Sequence, residues 1–151
     1  MQALNLPPYE IKIRRQGERT QIFDFLRRRW LTLTPEEWVR QHFTHYLVEH
    51  LGYPPALLAN EVSITVGGVP RRCDSILYDN AGGRPRLICE YKAPTVEITQ
   101  AVFTQIQSYN SVLRADYLIV SNGLRHICCH LRYDTGTVDF LPEVPPYSAL
   151  K

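Results

Sequence analysis

The period of the apolar residues changes three times along this chain, and that alternation constrains the fold more than any other feature. Helical spacing holds over residues 35–51 and again over residues 98–113. Between them, residues 61–91 read as three strands separated by turns, and strand-like residues return over 116–133. The order of helix, three strands, helix and two or three strands predicts an α/β fold with a mixed sheet flanked by helices.

The first helix has a clear start signal. Thr34 suits the N-cap, Pro35 suits the first helical position, and Glu37 completes a capping box. Apolar residues then recur every three or four positions until Gly52 and the prolines after it. We therefore expect a helix over residues 35–51.

Length and composition fit one soluble globular domain. The chain has 151 residues, of which 44% are hydrophobic and 21% are charged, which suffices for one core of ordinary size. We expect a single domain, with an N-terminal extension over residues 1–33 and a core over residues 34–141. Within the extension we expect a short strand at residues 10–13 and a turn at residues 21–24.

The chain carries no signal for a membrane or for secretion. Its longest apolar runs are short, such as Tyr117 to Val120, against the roughly 20 residues that span a bilayer. The N-terminus lacks a basic segment followed by an apolar stretch and a cleavage site. We expect a cytoplasmic protein without a membrane partner, whose four cysteines are buried free thiols.

The net charge of +2 gives no strong indication of nucleic-acid binding by the molecule as a whole. Six arginines nevertheless lie close together near the N-terminus: Arg14, Arg15, Arg19, Arg27, Arg28 and Arg29. Two interpretations fit this cluster, namely a patch that contacts phosphates and a solvated helix face.

Two carboxylates interrupt predicted strands that are otherwise apolar. Asp74 lies on the second strand and Glu90 on the third, and a charge on a buried strand needs a partner. Mg²⁺ binds oxygen ligands, usually one or two carboxylates together with retained waters, so the pair meets its requirements. Lys92 lies two positions after Glu90, so strand alternation places both side chains on one face.

A site of this kind suits phosphodiester hydrolysis. The metal polarises the phosphate and acidifies a bound water, while a lysine orients that water and offsets negative charge. The motif alone is not unique, because Glu10-Ile11-Lys12 repeats its spacing without an upstream carboxylate strand. An ion pair between strands is the structural alternative for Asp74, Glu90 and Lys92.

The positions of Asp74 and Glu90-Tyr91-Lys92 resemble the PD-(D/E)XK nuclease superfamily, also called restriction-endonuclease-like. Its members carry an Asp and a (Glu/Asp)-x-Lys on hairpin strands of an αβββαβ core, which matches the strand order predicted above. Cys73 stands where many members have a proline. The resemblance implies a restriction-endonuclease-like mixed sheet flanked by helices.

Gln105 and Tyr109 on the second helix resemble the Gln-x-x-x-Tyr motif of the RecB-like branch, in which both residues support the site. The stretch over residues 34–122 is similar to the N-terminal nuclease domain of type I restriction enzyme R subunits. This family often adds a glutamate from the first helix to the metal site, and we prefer Glu37 to Glu49 for that role.

The resemblance implies an Mg²⁺- or Mn²⁺-dependent endonuclease that hydrolyses phosphodiester bonds of DNA. Its implied catalytic residues are Asp74, Glu90, Lys92, Gln105 and Tyr109, and its implied metal ligands are Asp74, Glu90 and Glu37. The chain contains no Gly-x-x-x-x-Gly-Lys-[Ser/Thr] phosphate loop, so we expect a separate motor or restriction-system subunits as partners. The alternatives are a catalytically silent domain that binds nucleic acid or protein, and an interaction module with a structural ion pair.

A zinc site is the competing metal hypothesis. His126, Cys128 and His130 alternate along one predicted strand, and imidazoles and thiolates are the preferred ligands of zinc. Successive ligands on one strand face are ~6.6 Å apart, too far to share an ion through bonds of ~2.0 to 2.3 Å. We therefore do not expect zinc here.

Overall fold

The computed structural model describes residues 1–151, which form two β-sheets and two α-helices. The elements are β1 (Ile13–Gln16), β2 (Arg19–Asp24), β3 (Arg29–Thr32), α1 (Pro35–His45), β4 (Leu58–Val66), β5 (Val69–Tyr78), β6 (Pro85–Tyr91), α2 (Gln100–Leu113), β7 (Tyr117–Ser121), β8 (His126–Arg132) and β9 (Thr137–Leu141). Short 3₁₀-helices lie at Pro55–Leu57 and Tyr147–Ala149.

The main sheet has six strands in the order β4-β5-β6-β7-β8-β9. All neighbours are antiparallel except β6 and β7, which are parallel. A parallel pair needs a long crossover connection, and α2 supplies it. The structure confirms the predicted α/β order, including the final hairpin.

Strand β6 lies in the middle of this sheet and is covered on both faces. Leu87, Cys89 and Tyr91 belong to a core cluster that also contains residues of α1, whereas Ile88 belongs to a second cluster that contains residues of α2. Glu90 is two positions after Ile88, so strand alternation directs it towards the α2 side. The prediction of a central strand here is confirmed.

The first three strands form a separate antiparallel sheet, the N-terminal sheet. Two predictions are wrong here, because the turn expected at residues 21–24 belongs to β2 and the strand expected at residues 10–13 begins only at Ile13. Strand β2 is held by pairing on both sides and by the fully buried Ile22, which periodicity over so few residues does not reveal. The arginine cluster lies on these strands and turns, so its interpretation as a helix face is also wrong.

Helix α1 begins as the sequence predicts, with the Thr34 hydroxyl accepting the Glu37 N–H at 3.0 Å and Pro35 in the first turn. The helix continues as a π-helical turn over Tyr46–His50, so the predicted helix is confirmed and ends one residue earlier than expected. The Glu37 carboxylate bonds to arginine and glutamine side chains and leaves the reciprocal half of the capping box unmade.

No helix is long and apolar enough to cross a membrane. All four cysteines are free and buried, as predicted. Burial raises the pKa of each of these thiols, which favours the neutral form and makes them part of the core.

Candidate active site

Asp74 on β5 and Glu90 on β6 lie together on the α2 side of the main sheet. The two strands are antiparallel neighbours, and Ile76 and Ile88, two positions from the carboxylates, belong to the core cluster that includes α2. The register of the two strands sets Asp74 opposite Glu90, and the negative charge of Asp74 raises the pKa of Glu90. Glu90 is only 4% exposed. Strand alternation thus brings two acidic groups together within the protein.

Three of the four carboxylate oxygens of this pair have protein partners. One Asp74 oxygen accepts the Tyr91 backbone N–H at 2.7 Å, and the other accepts from Arg40 at 3.3 Å. Glu90 Oε1 accepts from Gln105 at 3.2 Å and lies 3.4 Å from Lys92 Nζ. Glu90 Oε2 is buried and has no hydrogen-bond partner. An unpartnered buried acceptor calls for an explanation, and a bound ion or water is one that fits an acidic oxygen.

Burial makes ionisation of the pair unfavourable. It raises the pKa of Glu90 to about 8, and the negative charge of Asp74 adds to this shift against the opposing effect of Lys92. Burial also raises the pKa of Asp74, although the Tyr91 N–H and Arg40 counteract it. Two neighbouring carboxylates, one buried and one half-buried, disfavour full ionisation unless a cation neutralises them. The unpartnered oxygen of Glu90 and the repulsion between the pair therefore both fit a divalent cation.

Lys92, Gln105 and Tyr109 complete a hydrogen-bonded group beside Glu90. Lys92 Nζ donates to Gln105 Oε1 at 3.2 Å, and Gln105 Nε2 donates both to Glu90 and to the Tyr109 hydroxyl, the latter at 3.0 Å. Gln105 and Tyr109 are four positions apart on α2 and therefore share a helix face. Thus the structure brings together all five residues that the sequence assigned to catalysis.

The glutamates of the first helix are not part of this group. Glu37 Oε1 accepts from Arg27 at 3.0 Å and from Arg40 at 2.7 Å, and Glu37 Oε2 accepts from Gln41. Glu49 pairs with His45 instead. No three His, Cys, Asp or Glu side chains form a group that could hold a metal ion. The structure thus places the Glu37 carboxylate against Arg27, Arg40 and Gln41, and its assignment as a third metal ligand stays a prediction.

Arg40 is a functional candidate that the sequence analysis missed. Its guanidinium is nearly buried and contacts three carboxylates, at 2.7 Å from Glu37, 2.5 Å from Glu61 and 3.3 Å from Asp74. These negative charges raise the pKa of Arg40 against the effect of burial, which is the largest single influence. The only sequence signal was the three-residue spacing of Glu37 and Arg40 on a predicted helix.

Glu61 was also missed, and its backbone marks it. Within β4 it adopts a left-handed φ of 57°, although the flanking residues Asn60 and Val62 keep regular pairing with Ser75 and Cys73. That register places Glu61 opposite Asp74. A non-glycine residue in this conformation stores strain that the surroundings must compensate, and such residues cluster at functional sites. Nothing in the sequence signals this conformation.

The residues of the zinc hypothesis have other partners. His126 bonds through its two ring nitrogens to the Ser121 hydroxyl at 2.7 Å and to the Asn5 carbonyl at 2.8 Å. His130 stacks on Tyr117 with ring centroids 4.4 Å apart. These contacts give the two histidines structural roles between neighbouring segments.

Comparison with known proteins places the chain in a family. The family described as type I restriction enzyme R protein N terminus (HSDR_N) matches residues 35–145. A fragment structure described as an HsdR subunit of a type I restriction enzyme from Vibrio vulnificus YJ016 is similar, with a TM-score of 0.58 and 21% sequence identity. The match covers 78% of this chain and 24% of that chain.

No curated protein matches the chain. The structural match, at its low sequence identity, supports the restriction-endonuclease-like fold. The family match extends over most of the chain and includes all five residues of the hydrogen-bonded site. The chain therefore belongs to the family of type I restriction enzyme R protein N-terminal domains.

Proposed function

We propose that this domain is a metal-dependent endonuclease that hydrolyses phosphodiester bonds of DNA with Mg²⁺ or Mn²⁺. The observation that carries the proposal is the pairing of the half-buried Asp74 with the buried Glu90. The unpartnered oxygen of Glu90 fits a cation, and Lys92 Nζ lies 3.4 Å from Glu90. Family membership supports it, because the family is named for a restriction enzyme. Mg²⁺ needs no more than one or two carboxylates when it retains waters, so a third glutamate is unnecessary.

Asp74 and Glu90 would hold the cation between neighbouring strands. When bound, the metal supplies a Lewis acid that polarises the scissile phosphate and lowers the pKa of a water. The Tyr91 N–H fixes the Asp74 carboxylate, and Gln105 fixes that of Glu90. Both carboxylates are thus oriented in advance, which reduces the reorganisation needed for the reaction.

Lys92 would orient the attacking water and stabilise charge on the phosphate. An ammonium group has three N–H donors, and one of them bonds to Gln105. The remaining donors serve a water or a phosphate oxygen beside Glu90. Gln105 and Tyr109 act as positioning residues, because their contacts hold Lys92 and Glu90 in place.

The proposed partners are DNA and separate restriction-system subunits that include a motor. The chain has no phosphate-binding loop of its own, and it corresponds to about a quarter of the matched HsdR fragment structure. Motor activity of the kind that needs a phosphate-binding loop would therefore have to come from other segments or other chains.

One observation favours a second candidate, a catalytically silent domain of the same fold that binds nucleic acid or protein. Arg40 already places a positive charge 3.3 Å from Asp74, so the protein partly neutralises its own acidic pair. In that case the ion pair between Arg40 and Asp74 would be structural, and the domain would need no metal.

Calorimetric titration of Mg²⁺ and Mn²⁺ separates the two candidates. We expect a saturable heat for the wild-type protein and its loss in Asp74→Ala. Plasmid cleavage with metal should fall by about 100-fold or more in Lys92→Ala, because loss of one charge-stabilising donor has effects of that size. Lys151→Ala, which removes the C-terminal lysine, is the control. The nuclease proposal would be overturned if the wild-type protein bound no metal. Equal cleavage by Lys92→Ala and Lys151→Ala would also overturn it.

A further inference from the structure

The N-terminal sheet lies outside the family match, which begins at residue 35, and its outer face has no role in the proposed catalytic site. Strand alternation gives the sheet two distinct faces. Ile22 and Asp24 are fully buried and define the inner face. Between them Phe23 points outward, and its cross-strand partner Trp30 shares that face. Large aromatic side chains on the outward face of a small sheet call for an explanation.

Basic side chains surround these two rings. Phe23 and Trp30 pack edge to face with centroids 5.3 Å apart. The Arg14 guanidinium lies 4.4 Å from the centre of the Trp30 ring, and Lys12 Nζ lies 5.6 Å from that of Phe23. Arg19 lies on the same outer face, two positions before the residue paired with Arg14. We call Lys12, Arg14, Arg19, Phe23 and Trp30 the aromatic–basic face.

The charge of this region differs from that of the whole chain. Residues 12–32 contain seven lysines and arginines against two acidic residues, although the entire chain has a net charge of only +2. One of the two acids, Asp24, is buried and paired with Arg27. The exposed surface of the N-terminal sheet is therefore strongly positive, and a ligand that binds to it should carry negative charge.

We infer that the aromatic–basic face binds single-stranded nucleic acid, with bases stacked on Phe23 and Trp30 and phosphates held by Lys12, Arg14 and Arg19. Open sheet faces that combine aromatic rings with positive charge bind single strands this way, because every unpaired base exposes a ring face. A duplex hides those faces within its own stack. The choice of nucleic acid as ligand rests on the proposed function, but the binding requires no cleavage.

A cavity next to this face extends the stacking surface. It has a volume of about 190 Å³ and is lined partly by Lys12 and Phe23. Tyr9, Phe25 and His45 form other walls, and Glu10 and Glu49 complete the lining. The His45 ring lies 4.2 Å from the Phe25 ring and 3.8 Å from the Tyr9 ring, measured between centroids. Its aromatic walls suit an uncharged base turned out of the strand, whereas its two glutamates disfavour a phosphate there.

The N-terminal sheet is fixed relative to the catalytic pair by buried polar contacts. Arg27, which follows β2, bonds to Asp24 and to Glu37. Glu37 in turn bonds to Arg40, which contacts Asp74. A strand bound on the aromatic–basic face would therefore be held at a set position relative to the catalytic site.

Fluorescence anisotropy in EDTA tests this surface without catalysis. The probe is a fluorescein-labelled oligothymidine of about 20 nucleotides, long enough for the site sizes of small single-strand binding domains, and a duplex of equal length is the comparison. Arg14→Glu combined with Arg19→Glu should weaken binding about tenfold or more, because two phosphate contacts are reversed. The charge-matched control combines Arg125→Glu with Arg132→Glu, which are exposed outside the N-terminal sheet, and should change affinity less than about twofold. Circular dichroism verifies that both variants fold.

Tryptophan fluorescence tests the stacking directly. The chain has two tryptophans, and Trp38→Phe leaves Trp30 as the only one. We expect the oligothymidine to quench Trp30 emission, Trp30→Ala to weaken binding about fivefold or more, and Trp30→Phe to retain most of the affinity, because stacking needs a ring.

The inference would be overturned by equal losses in the two charge-reversal variants. Tighter binding of the duplex combined with unchanged Trp30 emission would also overturn it. Failure of the nuclease proposal has a different signature, namely absence of metal binding or of Lys92-dependent cleavage while oligothymidine binding persists.

Discussion

The α2 side of the main sheet and the outer face of the N-terminal sheet place their charged residues in opposite surroundings. In the main sheet, Asp74 and Glu90 are held inside the fold with fixed partners and raised pKa values. In the N-terminal sheet, Arg14 and Arg19 are exposed to solvent. A buried charge needs a specific partner, whereas an exposed charge is stabilised by water. The difference teaches that the energetic cost of charge is concentrated where charged groups are buried, around Asp74 and Glu90, and each prediction below tests this contrast.

The largest effect on stability is expected at Arg40. Arg40→Ala removes the guanidinium that Glu37, Glu61 and Asp74 share. Breaking a buried ion pair by removing one partner costs about 3 to 5 kcal/mol. Urea unfolding measures the change in the free energy of unfolding. Arg132→Ala, which breaks an exposed pair with Asp139, should cost less than about 1 kcal/mol. Similar losses in the two variants would remove the contrast between buried and exposed charge.

Asp24 tests whether the N-terminal sheet contains one buried charge of the same kind. Its carboxylate accepts from the backbone N–H groups of Leu26 and Arg27 and from the side chains of Arg27 and Asn60. Asp24→Ala should cost about 2 to 3 kcal/mol in urea unfolding, because several buried donors lose their acceptor. A loss below about 0.5 kcal/mol, the range of surface substitutions, would show that the sheet does not depend on this contact.

The Asp24 contribution should also depend on pH. Burial raises the pKa of Asp24, but the hydrogen bonds from Arg27 and Asn60 outweigh it and lower the pKa below its usual 3.8. The stabilisation is therefore present above pH 3.8 and disappears as the pH falls through the lower value of the folded state. The difference in unfolding free energy between wild type and Asp24→Ala should shrink below that pH.

Glu90 should behave in the opposite direction. Its pKa rises from 4.5 to about 8 on folding, so the folded protein favours the protonated form and loses stability as the pH rises between these values. Glu90→Gln, which stays neutral, should raise the melting temperature at pH 8 by about 2 to 8 °C and have a smaller effect at pH 5. Thermal melts without metal measure this. An effect that is larger at pH 5 would contradict the burial of an unfavourable charge.

The smallest effect is expected on the aromatic–basic face. Arg14→Ala removes an exposed guanidinium that bonds to Gln21 and covers Trp30, and the free energy of unfolding should change by no more than about 0.5 kcal/mol. The same unfolding assay as for Arg40→Ala makes the comparison direct. A loss above about 2 kcal/mol would mean that this face contributes to the fold and is not free for a ligand.

Sequence patterns predicted the main sheet well, because the burial of its strands and helices imposes a period on the apolar residues. They also predicted the placement of Asp74, Glu90 and Lys92, since the three lie at fixed offsets on neighbouring strands. The Gln105 and Tyr109 assignment came from family resemblance, and the structure brings both residues to Glu90.

The failures arise where segments distant in the sequence meet. The position of Glu37 on the first helix is clear from the sequence, but its partner Arg27 comes from the turn after β2. A local sequence pattern does not show that contact. The sequence indicates a turn at residues 21–24 because β2 has only one buried apolar residue, Ile22, which gives no period. The left-handed backbone of Glu61 follows from packing opposite Asp74 and has no signature in the sequence.

The hydrogen bonds of Gln105 restrict which residues evolution or protein design can place there. Its amide donates to an acid, Glu90, and accepts from a base, Lys92. Glutamate would repel Glu90, a basic residue would repel Lys92, and a hydrocarbon would leave both without a partner. Only a primary amide with two methylene groups has both polarities and the reach, so this position has almost no tolerance for substitution although it performs no chemistry itself.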